Sequence, residues 1–156
     1  MKKLALVTVI LIATCVVAMA QPRAIGGRLA YGVGVSYQHG FGEKNMIQLD
    51  IDFPAYSWGV QVAATYNWIF SIDSWTKPGS WNWYAGVGGG IGVDWWGTGW
   101  AGVAGMIGVE YNFKFPLQLS IDWRPVIGPW FNKDHAGFNG WGMYAGAVGI
   151  GVRYKF

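Results

Sequence analysis

Beyond residue 20 the chain has no cysteine; its one Cys stands at position 15. A disulfide framework and thiol chemistry are therefore excluded for the rest of the sequence. Charged residues make up only 12% of the 156, too few to clothe a soluble domain of this size. After Ala20 no apolar run approaches the roughly 20 residues that a membrane-crossing helix needs. No basic patch or long charge run offers a surface to nucleic acid. The two histidines, His39 and His135, are far apart, and without cysteines they make no zinc site. No metal and no cofactor is expected.

Residues 1–20 read as a cleaved signal peptide. Lys2 and Lys3 supply the positive start, residues 4–17 the apolar stretch, and Ala18-Met19-Ala20 the small-residue cleavage pattern. The apolar stretch is short for an uncleaved membrane helix. Ile12 and Thr14 fit poorly as the residues before a lipidated Cys15. Removal of the segment takes Lys2 and Lys3 away and lowers the formal charge from +3 to +1. Residues 21–156 are left as one domain.

In that domain glycine and aromatic residues are abundant: 25 Gly, 11 Trp, 8 Tyr and 8 Phe in the whole chain. Their order has a period of two. In residues 140–156 one face carries Tyr144, Gly146, Val148, Ile150, Val152, Tyr154 and Phe156, and the other Met143, Ala145, Ala147, Gly149, Gly151, Arg153 and Lys155. A strand produces this period and a helix does not. A greasy face opposite a small and charged one suits lipid on one side and a polar lumen on the other. Ile47, Leu49, Ile51 and Phe53 alternate in the same way with Gln48, Asp50 and Asp52, and Leu117, Leu119, Ile121 and Trp123 with Gln118, Ser120, Asp122 and Arg124.

Seven strands are clear, separated by turns or loops at 39–45, 54–56, 71–80, 94–99, 114–116 and 128–139. An even number is expected of a single-chain barrel. A hairpin within residues 23–39, turning around Tyr31 to Gly34, supplies the eighth strand and keeps the odd–even pattern intact. The fold expected is all-β: a transmembrane, antiparallel, up-and-down β-barrel of eight strands.

With this pattern the chain resembles the small bacterial outer-membrane β-barrel proteins of the OmpX and OmpA-barrel type, over residues 24–156. The assembly signal of such barrels is matched by Gly151, Tyr154 and Phe156, with Gly149 where a polar residue is the rule. The turn at 111–116, Tyr-Asn-Phe-Lys-Phe-Pro, looks like their short periplasmic connections. The resemblance implies Sec-dependent export, integral residence in a Gram-negative outer membrane, contact with its lipid and with the barrel-assembly machinery, and a monomeric state. It also implies that loops 94–99 and 128–139 are extracellular and that 39–45, 71–80 and 113–116 are periplasmic.

Eight strands leave an interior that side chains can fill. Eight charges have inward parity: Asp50, Asp52, Glu110 and Asp122 against Arg28, Arg124, Arg153 and Lys155. Buried charges are costly unless paired, so the matched count suggests a salt-bridged plug, with Arg124 and Lys155 placed inside or at the rims. The inward glycines 86, 88, 90 and 92 leave volume for Tyr84 or Met106, or for a small acyl-chain pocket. Aromatic anchors on the outward parity are Trp58, Tyr66, Trp68, Trp83, Tyr111, Trp123 and Tyr154, suited to a headgroup boundary. Trp75, Trp95, Trp96, Trp100, Trp130 and Trp141 fall in or beside loops; they could bind an extracellular partner or glycan, or equally cap the barrel mouth or lie in the membrane interface. A non-enzymatic barrel with a structural or surface-interaction role is expected. The alternatives are a lipid-modifying enzyme of the lipid A acylase or deacylase kind, for which Ser36 or Ser120 with His39 and an acid are the available groups, and a narrow pore.

Overall fold

The computed structural model describes residues 21–55, 59–75, 78–141 and 148–156. All regular structure among them is strand: β1 (Gln21–Leu29), β2 (Gly32–Phe41), β3 (Asn45–Pro54), β4 (Gly59–Ser71), β5 (Ser80–Asp94), β6 (Gly99–Asn112), β7 (Leu117–Trp123), β8 (Val126–Phe131), β9 (Ala136–Trp141) and β10 (Val148–Lys155). Consecutive strands pair antiparallel from β1 to β7, β7 pairs with β10, and β10 returns to β1. This ring is a closed eight-stranded barrel.

Alternation decides which way each residue points. In β3, Gln48, Asp50 and Asp52 are buried while Leu49, Ile51 and Phe53 are exposed. In β10, Gly149, Gly151 and Arg153 are buried between exposed Val148, Ile150, Val152 and Tyr154. The barrel is inside-out relative to a soluble one, with charge within and aliphatic side chains on the outer face.

The first hairpin turns at Ala30 and Tyr31, with Leu29 opposite Val33 and Ala30 N–H donating to Gly32 O at 3.0 Å. It supplies the eighth strand of the ring. Leu29 and Val33 both remain on the outer face, so the turn leaves the parity unbroken. A β-bulge interrupts β1: Pro22 faces His39 but Ala24 faces Gln38, and Arg23 is the extra residue.

Two expected loops are shorter than the sequence suggested. Residues 128–139 are mostly strand, folded as the β8–β9 hairpin with a turn at 132–135, where Asn132 Oδ1 accepts from His135 N–H at 2.7 Å. β8 continues the line of β7 along β6 in the same register, and the two are separated only at Arg124-Pro125, since Pro125 has no N–H for the ladder. The glycines and Pro129 of this stretch disguise it, because they are turn formers wherever no neighbouring strand offers pairing. Similarly β2 runs on through His39 to Phe41, and the turn occupies only 42–44, with Gly42 at φ 70°.

The turns at 30–31, 95–98 and 132–135 share one end of the barrel. Those at 42–44 and 113–116, the β4–β5 connection, Gln21 and Phe156 share the other.

Candidate functional site: the barrel interior

The interior is assembled from large polar side chains laid against glycine. A Cβ at Gly149 would stand 2.5 Å from Arg28 Cζ, and one at Gly151 would stand 2.7 Å from Arg153 Nη1. The small face of β10 is thus the bed on which two guanidinium groups lie. On β6, a Cβ at Gly108 would meet the Tyr84 ring at 2.5 Å. On β5, one at Gly92 would meet Trp100 Nε1 at 2.5 Å, and one at Gly90 the same indole at 3.3 Å. Trp100 therefore takes the space beside Gly90 and Gly92. Sequence parity pointed to Tyr84 or Met106 beside the β5 glycines. Met106, opposite Gly86, reaches across β5 to Thr65, which is opposite Gly88 and donates from Oγ1 to Met106 Sδ at 3.1 Å, whereas Tyr84 packs on Gly108.

Three arginines hold the four carboxylates. Arg28 Nε donates to Asp122 Oδ1 at 3.0 Å, and Tyr84 O–H donates to Asp122 Oδ2 at 3.3 Å. Arg124 bridges two acids, reaching Asp50 Oδ2 at 2.5 Å with one nitrogen and Asp52 with the other. Arg124 is therefore inside the barrel and not at a rim. Arg23 forks onto Glu110, with Nη1 at 3.0 Å from Oε2. Neutral amides complete the shell of that carboxylate: Asn82 at 2.9 Å, Gln118 at 3.0 Å and Asn112 at 3.1 Å.

Arg23 was not anticipated. Its odd position gives it outward parity, and the bulge reverses that. Lys155, expected in the network, is not part of it. It lies half-buried at the terminal end and donates from Nζ to Phe113 O at 2.8 Å. Four bases still face four acids, with Arg23 in the place of Lys155.

Arg153 is a second departure from the expected pairing. It is almost fully buried, yet it makes no ion pair with any described residue. Its Nε donates to Ser36 Oγ at 2.9 Å, and its Nη1 to Ser120 Oγ at 2.7 Å and Gln118 Oε1 at 3.3 Å. The reason is stoichiometric: Arg124 occupies two aspartates, so one arginine is left to neutral acceptors. Burial of an unpaired charge is offset only by hydrogen bonds; two hydroxyls and an amide take Nε and Nη1 here, and Nη2 has no hydrogen-bond partner among the described residues.

Glu110, Arg23, Asp50, Arg124, Asp52 and Arg153 join into one column along the interior. Arg23 donates to Gln38 Oε1 at 2.9 Å, Gln38 to Gln48 Oε1 at 2.9 Å, and Gln48 to Asp50 Oδ2 at 3.0 Å. Arg124 carries the chain on to Asp52, which also accepts from Gln61 at 3.3 Å. A second branch runs from Glu110 through Gln118 to Arg153.

The hydroxyls that a hydrolytic site would need are engaged. Ser36 and Ser120 both accept from Arg153, and His39 Nδ1 is bonded to the Tyr37 hydroxyl at 2.7 Å. His39 sits in β2, not in a turn. On the outer face Tyr66, Trp68, Trp83, Trp123 and Tyr154 are exposed. Tyr111 is half-buried, and its ring packs against Trp81 and Phe113. Trp58 and residues 142–147 lie outside the described residues. Trp130, expected within the loop 128–139, stands in β8, and Trp100 follows the 94–99 loop at the start of β6. Comparison of the chain with protein-family models, with curated proteins and with solved structures finds no match.

Proposed function

We propose that this chain is an integral β-barrel protein of a Gram-negative outer membrane, similar in design to the OmpX and OmpA-barrel type. On this reading it is exported through the Sec pathway, loses residues 1–20, and works as a structural or surface-interaction element with a filled lumen. The observation that carries the reading is the inverted polarity of the barrel. Along β5 the exposed apolar side chains run from Trp83 to Val93. That length is about 33 Å of strand, and a tilt of about 40° reduces it to about 25 Å of height, the thickness of the apolar band such barrels present to lipid. A soluble protein with this continuous apolar surface would aggregate.

Aromatic rings add support. At the end that holds the termini, Trp81, Tyr111, Phe113 and Phe115 form a continuous run of ring contacts, and Phe70 stacks on Trp83 with centroids 4.3 Å apart. Amphipathic rings of this kind favour the boundary between hydrocarbon and headgroup. The termini and the turns at 42–44 and 113–116 would then face the periplasm, and the turns at 95–98 and 132–135 the outside.

The interior column favours a plug over a pore. Its side chains are ion-paired and hydrogen-bonded to one another across the lumen. The test combines three measurements. Cells expressing the chain are fractionated and the outer membrane is extracted with carbonate; the protein stays with the membrane. Unboiled samples migrate differently from boiled ones on gels. In planar bilayers the purified protein shows no conductance above leak. Release by carbonate together with no heat-dependent shift would overturn the membrane reading, and steady unitary currents would overturn the plug.

A further inference from the structure

β1 starts at the residue that removal of 1–20 would leave as the first of the chain. Gln21 stands opposite Gly40 and Pro22 opposite His39 on β2. On the other side β10 ends its pairing with Lys155 opposite Ala24, and one more bond runs from Phe156 N–H to Arg23 O at 3.3 Å. Gln21 and Pro22 therefore overhang β10 and are held in the ladder from one side only. Strand ends held in this way open readily, and chain ends are where peptidases act.

The next residue is Arg23, the one ion-pair partner of Glu110 among the described residues. Glu110 is fully buried. Loss of three residues from the N-terminus would strip that carboxylate of its cation, which is strongly destabilising for a buried charge. A glutamine in first place carries its own protection against such loss. Its free α-amine ionises near neutral pH, so a substantial fraction is the unprotonated nucleophile. That nitrogen lies a few bonds from the side-chain carboxamide, and closure of a five-membered ring within one residue has the high effective concentration of an intramolecular reaction. Among the amino acids only Gln, and more slowly Glu, offers this ring.

We propose that Gln21 is closed to pyroglutamate and that this cap guards Arg23 against removal. The α-nitrogen attacks Cδ and forms the lactam C–N bond. The Cδ–Nε2 bond breaks, and the side-chain nitrogen leaves as ammonia with the proton that the amine gives up. No oxidant, reductant or second substrate enters. The product has no ionisable amine, so no further cation is added to the terminal end of the barrel, which already holds Arg23 and Lys155. Pro22 blocks general aminopeptidases, and enzymes that release X-Pro dipeptides need the free α-amine that the lactam removes. The inference rests on cleavage after Ala20, as proposed above.

Cells making the protein are lysed directly into cold acid, which protonates the amine and stops further closure, and the N-terminal peptide is read by mass spectrometry. The peptide that starts at residue 21 should be lighter by one ammonia than its sequence, and its α-nitrogen should not take an amine label. Treatment with pyroglutamyl aminopeptidase should expose Pro22 as the new first residue. Gln21→Ala should start at residue 21 with its full mass and should take the label. On the folded protein in detergent micelles, a dipeptidyl peptidase of X-Pro specificity should shorten Gln21→Ala by two residues and leave the parent intact. A parent peptide that starts at residue 21 with its full mass overturns this inference and leaves the cleavage reading standing. A chain that starts at any other residue overturns both. Shortening of parent and Gln21→Ala alike, or of neither, overturns the guarding role.

Discussion

The guanidinium of Arg28 lies directly on the backbone at Gly149, where a Cβ would be 2.5 Å from Cζ. β10 pairs with β1 so that Arg28 faces Gly151, and the side chain crosses over the neighbouring glycine to reach Asp122 on β7. A glycine-rich strand that would weaken an ordinary core here makes room for the ion pair that fills this one.

Gly149→Ala should therefore cost about 1–3 kcal/mol through overpacking, because the added methyl collides with a side chain that is already committed. Gly89→Ala is the control. It points to the outer face, with its nearest neighbour Gly102 O at 3.5 Å, and should stay within about 0.5 kcal/mol of the parent. Urea midpoints in lipid or detergent measure both.

The Arg28–Asp122 pair should behave as a unit. Asp122→Leu alone takes the ion-pair partner from a buried cation and should cost about 3–5 kcal/mol, whereas Arg28→Met combined with Asp122→Leu should cost markedly less. A double-mutant cycle with additive losses would show that the pair is not coupled in this way.

Arg153 and Arg124 should differ although both are buried. Arg124→Met strands Asp50 and Asp52 together, and a loss of about 3–5 kcal/mol is expected. Arg153→Met strands only Ser36, Ser120 and Gln118, neutral groups whose lost hydrogen bonds cost about 1–3 kcal/mol. Equal losses in equilibrium unfolding would contradict the assigned partners.

Arg23 and Lys155 provide the same contrast at the terminal end. Arg23→Met removes the one cation paired with Glu110, while three amides continue to donate to it. A loss of about 2–4 kcal/mol is expected, somewhat below that for an unassisted buried charge. Lys155→Met gives up one bond to a backbone carbonyl at a half-exposed site and should change stability by less than about 1 kcal/mol.

Much of this barrel was legible from alternation alone. Period two placed Asp50, Asp52, Glu110 and Asp122 on one face and Val148, Ile150 and Val152 on the other, because a strand has only two sides and every residue must take one. The N-terminal hairpin could be inferred from parity as well, since Leu29 and Val33 keep the same side across the turn. The 128–139 stretch was misread because Gly and Pro are turn formers by local preference, and their pairing with β6 is a long-range contact with no local signature.

Residue order by itself determined the all-β class, the inverted polarity and the face on which the four acids lie. It did so because side-chain direction in a strand is a local property of the backbone. Tertiary structure alone decided who meets whom. The bulge at Arg23 brought in a base that parity had placed outside, and Lys155 was left at the rim. The register of β2 against β3 set Ser36 beside Asp50. Arg124 captured two aspartates at once, and so Arg153 was left to hydroxyls. Such partners are set by distances across the lumen between strands far apart in sequence, and those distances exist only once the ring is closed.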